Sequence, residues 1–208
     1  MEVDRADGRT PNQRRPVACT RGILHRAHGS ASWAQGDTKV IAAVYGPKAG
    51  TRKNENPEKA CIEVIWKPKS EWEIGEGVVN DDGALLPCAI NAACAALVDA
   101  GTPLKHLAVA ICCCMAENGQ ILLDPSKIEE QKVKAFVYLV FPNSVVSVLP
   151  EGGKSMEHGI LTSVTHGVMA VDDYFSCLKL GRPAASELSD YIRNSFKSKA
   201  GNDPSKAA

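Results

Sequence analysis

Residues 86–124 read LPCAINAACAALVDAGTPLKHLAVAICCCMAENGQILLD. The first part predicts a helix from about Leu86 to Ala100: Pro87 suits the first turn, Gly101 stands just past the end, and Ile90, Ala93, Cys94 and Leu97 share one stripe. Leu107 to Met115 is then an unbroken apolar run of strand length. Asn118-Gly119 joins it to Ile121-Leu122-Leu123-Asp124 as a hairpin, because Asn-Gly readily takes the positive φ angles of a tight turn. A helix of small residues running into a buried hairpin is the middle of a domain that mixes both kinds of element.

Toward the N-terminus, Ser30 to Gln35 and Thr38 to Tyr45 form a second hairpin around Gly36-Asp37, which Gly46-Pro47 ends. Lys48 to Lys59 is polar and basic without apolar period, which reads as an exposed loop. Cys61 to Lys67 alternates, with Ile62, Val64 and Trp66 on one strand face. Toward the C-terminus, Ala135, Val137, Leu139 and Phe141 alternate, and Val145 to Leu149 is expected to pair beside them. Ile160, Val164, Val168, Val171, Phe175 and Leu178 predict a long amphipathic helix, with a last helix after Pro183. Strands, a helix, more strands and then helices give an α+β domain over 17–196, preceded by a loop segment, 1–16, and followed by a polar tail, 197–208.

Composition bounds the rest. No apolar run approaches the roughly 18 residues of a membrane span, and Met1 to Arg15 is polar, so the expectation is a protein of the cell interior with no membrane partner. Its 24 basic and 24 acidic residues cancel, so any nucleic-acid binding must come from a local patch. The eight cysteines include Cys112-Cys113-Cys114 inside apolar sequence and no Cys-x-x-Cys pair, which reads as thiols filling a core rather than a zinc site or a disulfide framework. His158 and His166 read as surface or core histidines, and His28 beside Ser30 lacks a third group to orient a nucleophile.

Several short runs occur in one order: Arg5-Ala6-Asp7-Gly8-Arg9, Ala27-His28-Gly29-Ser30-Ala31, Gly36-Asp37-Thr38-Lys39-Val40, Gly46-Pro47, Asn91-Ala92-Ala93, and Leu123-Asp124-Pro125 with Glu129-Glu130. As an ordered set they resemble the RNase PH family. The resemblance implies an RNase PH-like (ribosomal protein S5 domain 2-type) fold, a mixed sheet with helices packed on it. It also implies head-to-tail dimers and six-membered rings such as the exosome's, with RNA and other RNase PH-like ring subunits as partners, a homodimer as the other assembly, and a nuclear, nucleolar and cytoplasmic location.

Two departures qualify it. Catalytic relatives carry Thr-Arg or Ser-Arg ahead of the small-residue helix, where arginine and helix N-terminus grip the attacking phosphate; here the positions read Gly83-Ala84-Leu85-Leu86. Relatives also place a helix and a central strand where this chain has only the residues between Lys69 and Asp81, so its first half must be rebuilt or destabilised.

RNA cleavage by phosphate needs a cradle for anionic groups and an acid for the departing 3′ oxygen. By the resemblance Asp124 and Glu130 are the catalytic candidates, Glu130 standing for the more usual Asp, with Glu129 the adjacent alternative. Without it, Asp124-Pro125 is a turn and Glu129-Glu130 a solvated helix start. The chemistry stays open between phosphorolysis with inorganic phosphate and hydrolysis by water on magnesium or manganese held by the same carboxylates. Lys48, Arg52 and Lys53 are the RNA-binding candidates, as a sequence-independent phosphate contact. With aromatic content of 5%, no stacking platform is expected to accompany them.

Overall fold

A computed structural model describes residues 5, 7–48, 61–67, 77–104, 106–143 and 159–200, the last four without their side chains. Strands β1 (Val17–Arg21), β2 (Gly29–Gln35), β3 (Thr38–Val44) and β4 (Gly77–Asn80) form one four-stranded sheet in chain order. Helix α1 (Leu85–Asp99) follows, then β5 (Leu107–Met115), β6 (Ile121–Leu123), the short α2 (Lys127–Glu130), β7 (Ala135–Asn143) and β8 (Thr162–Gly167), ordered β6-β5-β7-β8 in a second sheet. Helix α3 (Val171–Ala200) is the last described element. The expected mixed sheet is thus two sheets, in both of which neighbouring strands pair antiparallel.

One core joins the layers. Trp33 and Val40 come from the first sheet, Cys88 and Ala92 from α1, Val109, Ile111, Cys113, Leu123, Val137 and Leu139 from the second sheet, and Cys177, Leu188 and Ile192 from α3. The small residues of α1 let it lie close against β2: a Cβ on Gly29 would overlap the backbone of Ala96 and Ala100. Buried Asn91 fastens the same helix to β5, its amide donating to Ala110 O at 3.0 Å and its oxygen accepting from Ala110 N at 2.9 Å. Both of its polar ends are therefore satisfied. Cys112, Cys113 and Cys114 lie buried along β5 as free thiols, as core filling requires.

Three expectations change. Residues 160–170 do not begin a helix: Thr162–Gly167 pairs with β7 as β8. Apolar residues four apart fit a period of 3.6, but they equally fit two steps of a strand's period of 2. Pro183 does not separate two helices, because α3 runs through it. The lost hydrogen bond is offset by burying Ala184, Ala185, Leu188 and Ile192 against the core. Cys61–Lys67 is not a strand; Ile62, Val64, Ile65 and Trp66 are exposed. The segment Val145 to Leu149 lies outside the described residues; β7 pairs with β5 and β8.

Candidate functional site

The carboxylates singled out in the sequence gather at the N-terminal end of α1, but in unlike surroundings. Asp124 follows β6 in a left-handed conformation, φ 54°, and its residue is 1% exposed. Arg15 seizes it: Nη2 donates to Oδ1 at 2.7 Å, Nε to Oδ2 at 3.1 Å, and the Arg15 backbone N–H to Oδ2 at 2.8 Å. Burial alone would raise the Asp124 carboxyl, yet the Arg15 hydrogen bonds and charge hold it below its ordinary value. Arg15 is itself pinned by Gly83 O and Asp82 to the turn before α1.

Glu129 is engaged in the same manner. Arg5 grips it with two hydrogen bonds, Nε to Oε1 at 2.8 Å and Nη2 to Oε2 at 2.7 Å, and also caps the carbonyls of Leu123 and Asp124. Ser126 and Glu129 complete a capping box on α2. Burial pushes Glu129 up, but Arg5 and the Ser126 backbone bring it net lower. Both groups are thereby structural anchors in this fold.

Glu130 differs. Its Oε1 accepts from Ala84 N at 2.7 Å, at the cap of α1, where no side chain of the cap residue itself helps. Lys127 Nζ stands 3.9 Å from its other oxygen while bonding Asp81 at 2.8 Å. Its side chain is 12% exposed. Burial, reinforced by Asp81, outweighs the Ala84 N–H and Lys127, so the carboxyl lies above its ordinary value. A carboxyl so raised holds its proton more readily than an ordinary glutamate, which is the direction a general acid requires.

Lys48 is not brought to this cluster. It follows β3, whose last residue Val44 pairs with Gly29 beside Ala100, at the far end of α1, whereas Glu130 binds the near end. Fifteen residues of helix put about 22 Å between those ends. Lys48 is exposed, its Nζ 5.8 Å from the Tyr45 ring centroid, and Arg52 and Lys53 lie outside the described residues. Among the described residues no group of three or more His, Cys, Asp or Glu side chains is arranged to hold a metal.

With this geometry in hand, comparison with known proteins places the chain. A model of the 3′ exoribonuclease family, domain 1, of RNase PH type, matches residues 13–76. The Arabidopsis thaliana protein "Exosome complex exonuclease RRP46 homolog" is 61% identical over 240 residues, covering 97% of this chain and all of the relative. The chain belongs to the RNase PH family. The rice relative of the same name is 52% identical, with 98% of this chain and all of that protein aligned. The crystal structure of rice Rrp46 superposes with a TM-score of 0.81 over 93% of this chain and all of that one. An Archaeoglobus fulgidus exosome chain, from a structure with RNA bound to the active site, shares the fold at a TM-score of 0.72 over 91% of this chain and 93% of its own, at 19% identity.

The likeness to the plant RRP46 proteins agrees with Asp81-Asp82-Gly83-Ala84-Leu85-Leu86 running into Asn91-Ala92-Ala93-Cys94, the run by which this RNase PH member resembles ribosomal RNA-processing protein 46 in a plant version. An alignment of 240 positions against a chain of 208 residues leaves at least 32 in the Arabidopsis protein without a counterpart here. The sequence reading missed Arg5, Arg9 and Arg15 by treating the opening segment as loop. The signal was available: an acid closing a buried strand requires a buried cation, and the polar opening is where the arginines stand.

Proposed function

We propose that the chain is a ring subunit of the exosome, acting in RNA processing and degradation mainly by building the ring and guiding RNA, with its neighbours the other RNase PH-like subunits. The relatives' names and near-complete coverage support this, as does one observation at the site. The N-terminus of α1, which would have to grip an attacking phosphate, has Ala84-Leu85-Leu86 in place of an arginine and is capped by the chain's own Glu130, with Asp81 and Asp82 beside it. A second phosphate-sized anion there meets like charge rather than a cationic fork. In this reading the phosphate-binding motif is degraded, Lys48, Arg52 and Lys53 contact the RNA backbone, and the protein works in nucleus, nucleolus and cytoplasm.

A second reading, an active nuclease as a homodimer, is favoured by the raised carboxyl of Glu130, with Asp124 acting beside it through Arg15. The test is incubation of the purified chain with 3′-labelled RNA, with and without inorganic phosphate, magnesium and chelator. Salt-sensitive RNA binding with no phosphate-dependent release is expected. Nucleoside diphosphate released only with phosphate overturns the guiding role, and chelator-sensitive monophosphate, lost in Glu130→Gln, establishes hydrolysis.

A further inference from the structure

The composition offers few aromatic residues, but the register of the second sheet gathers some of them. Phe136 on β7 pairs opposite His166 on β8, and Tyr138 opposite Val164, so all four lie on one face of the sheet. The Phe136 and His166 rings stack at 4.7 Å with 26° between their planes; Tyr138 stands 5.2 Å from Phe136 and 5.6 Å from His166. Phe136 packs against the cluster of Cys114, Ala116 and Leu122 beside it, which steadies it. His166 is exposed, Tyr138 is half-buried, and Val164 is 39% exposed.

What surrounds the rings indicates the ligand. The connection from α2 to β7 carries Lys132 and Lys134, both exposed, and the carbonyl of Lys134 borders Gly167, the residue after His166. Burial raises the Tyr138 hydroxyl, and the charges of Cys112, Glu130 and Asp81 add to it. Rings rimmed by ammonium groups are the ingredients of sequence-tolerant single-strand binding, in which bases stack while cations follow the backbone.

We propose that Tyr138 and His166, supported by Phe136, form a stacking platform for the bases of single-stranded RNA whose phosphates run along Lys132 and Lys134. The assignment rests on the RNA-guiding reading above and adds to it where the bases lie. It also replaces the expectation that stacking plays no part, since strand register, rather than composition, decides whether scattered aromatics meet.

The experiment uses the full chain and a short oligoadenylate carrying 2-aminopurine, an adenine analogue whose fluorescence is quenched when it stacks. Wild type is expected to bind with quenching. The double variant Tyr138→Leu, His166→Leu should bind about tenfold more weakly, within the cost of losing a base–aromatic stack, and lose the quenching. Tyr138→Phe with His166→Phe, which keeps the rings, should restore both. Unchanged affinity and quenching in the leucine variant overturn the platform while leaving RNA guiding intact. Absence of RNA binding by wild type overturns both. A fall in solution mass of the leucine variant, in step with lost binding, overturns the platform in favour of a contact between copies of the chain.

Discussion

Strand β5 and the segment Cys61–Lys67 are built from similar material and meet opposite fates. Leu107–Met115 has β6 along one edge and β7 along the other, and its last seven side chains are buried. Cys61–Lys67 also holds Ile, Val and Trp, yet lies exposed throughout; its Lys67 carbonyl accepts from Val78 N at 3.2 Å, where β4 begins. The contrast shows that an apolar run becomes a strand only when a neighbour supplies both hydrogen bonds and a surface to cover it. In β5 the hairpin partner is six residues away in sequence. Cys61–Lys67 precedes the stretch in which relatives place a helix and a central strand.

The comparison can be broken at its strongest point first. The β6 end of the β5 hairpin is fastened by Arg15 and Asp124, buried partners whose separation leaves a charge unmatched. Asp124→Asn should therefore cost about 3–5 kcal/mol in urea unfolding. It is then a poor probe of catalysis; a loss below about 1 kcal/mol would mean Arg15 is not the clamp. The next test sets the two regions side by side. Ile111→Ala, in the core, should lose about 3 kcal/mol through cavity formation, whereas Ile65→Ala, at 77% exposure, should stay within about 0.5 kcal/mol. Equal losses would erase the contrast.

The smallest effect is confined to acid. Asp124 and Glu129 are both held below their ordinary values of 3.8 and 4.5, so they bind protons less readily folded than unfolded. Their stabilisation is present above about pH 4 and is lost as pH falls through the lowered folded values. Glu130, raised above 4.5, works the other way, its contribution being lost as pH climbs through its folded value. Melting temperature followed from about pH 6 down to pH 3 should fall, and the fall should be shallower in Asp124→Asn; a parallel curve would show that other carboxylates dominate.

Much of the fold could be read because its signals are local. The Gly36-Asp37 and Asn118-Gly119 turns fix their hairpins, and Leu85–Asp99 differs from the expected helix by one residue at each end. β8 was hidden because Ile160, Val164 and Val168 satisfy two periodicities at once. The site was half legible: Asp124 and Glu130 do flank the start of α1, but that Arg15 neutralises one while burial raises the other is set by contacts across 109 residues. No local pattern encodes that difference.

The arginine clamp also bears on the order of synthesis. Arg5 and Arg15 leave the ribosome more than a hundred residues before the carboxylates they bind, so the nascent chain carries buried-to-be cations with nothing to neutralise them. The leading segment can dock only once the second hairpin has emerged, which makes its closure a late step that waits on long-range contacts.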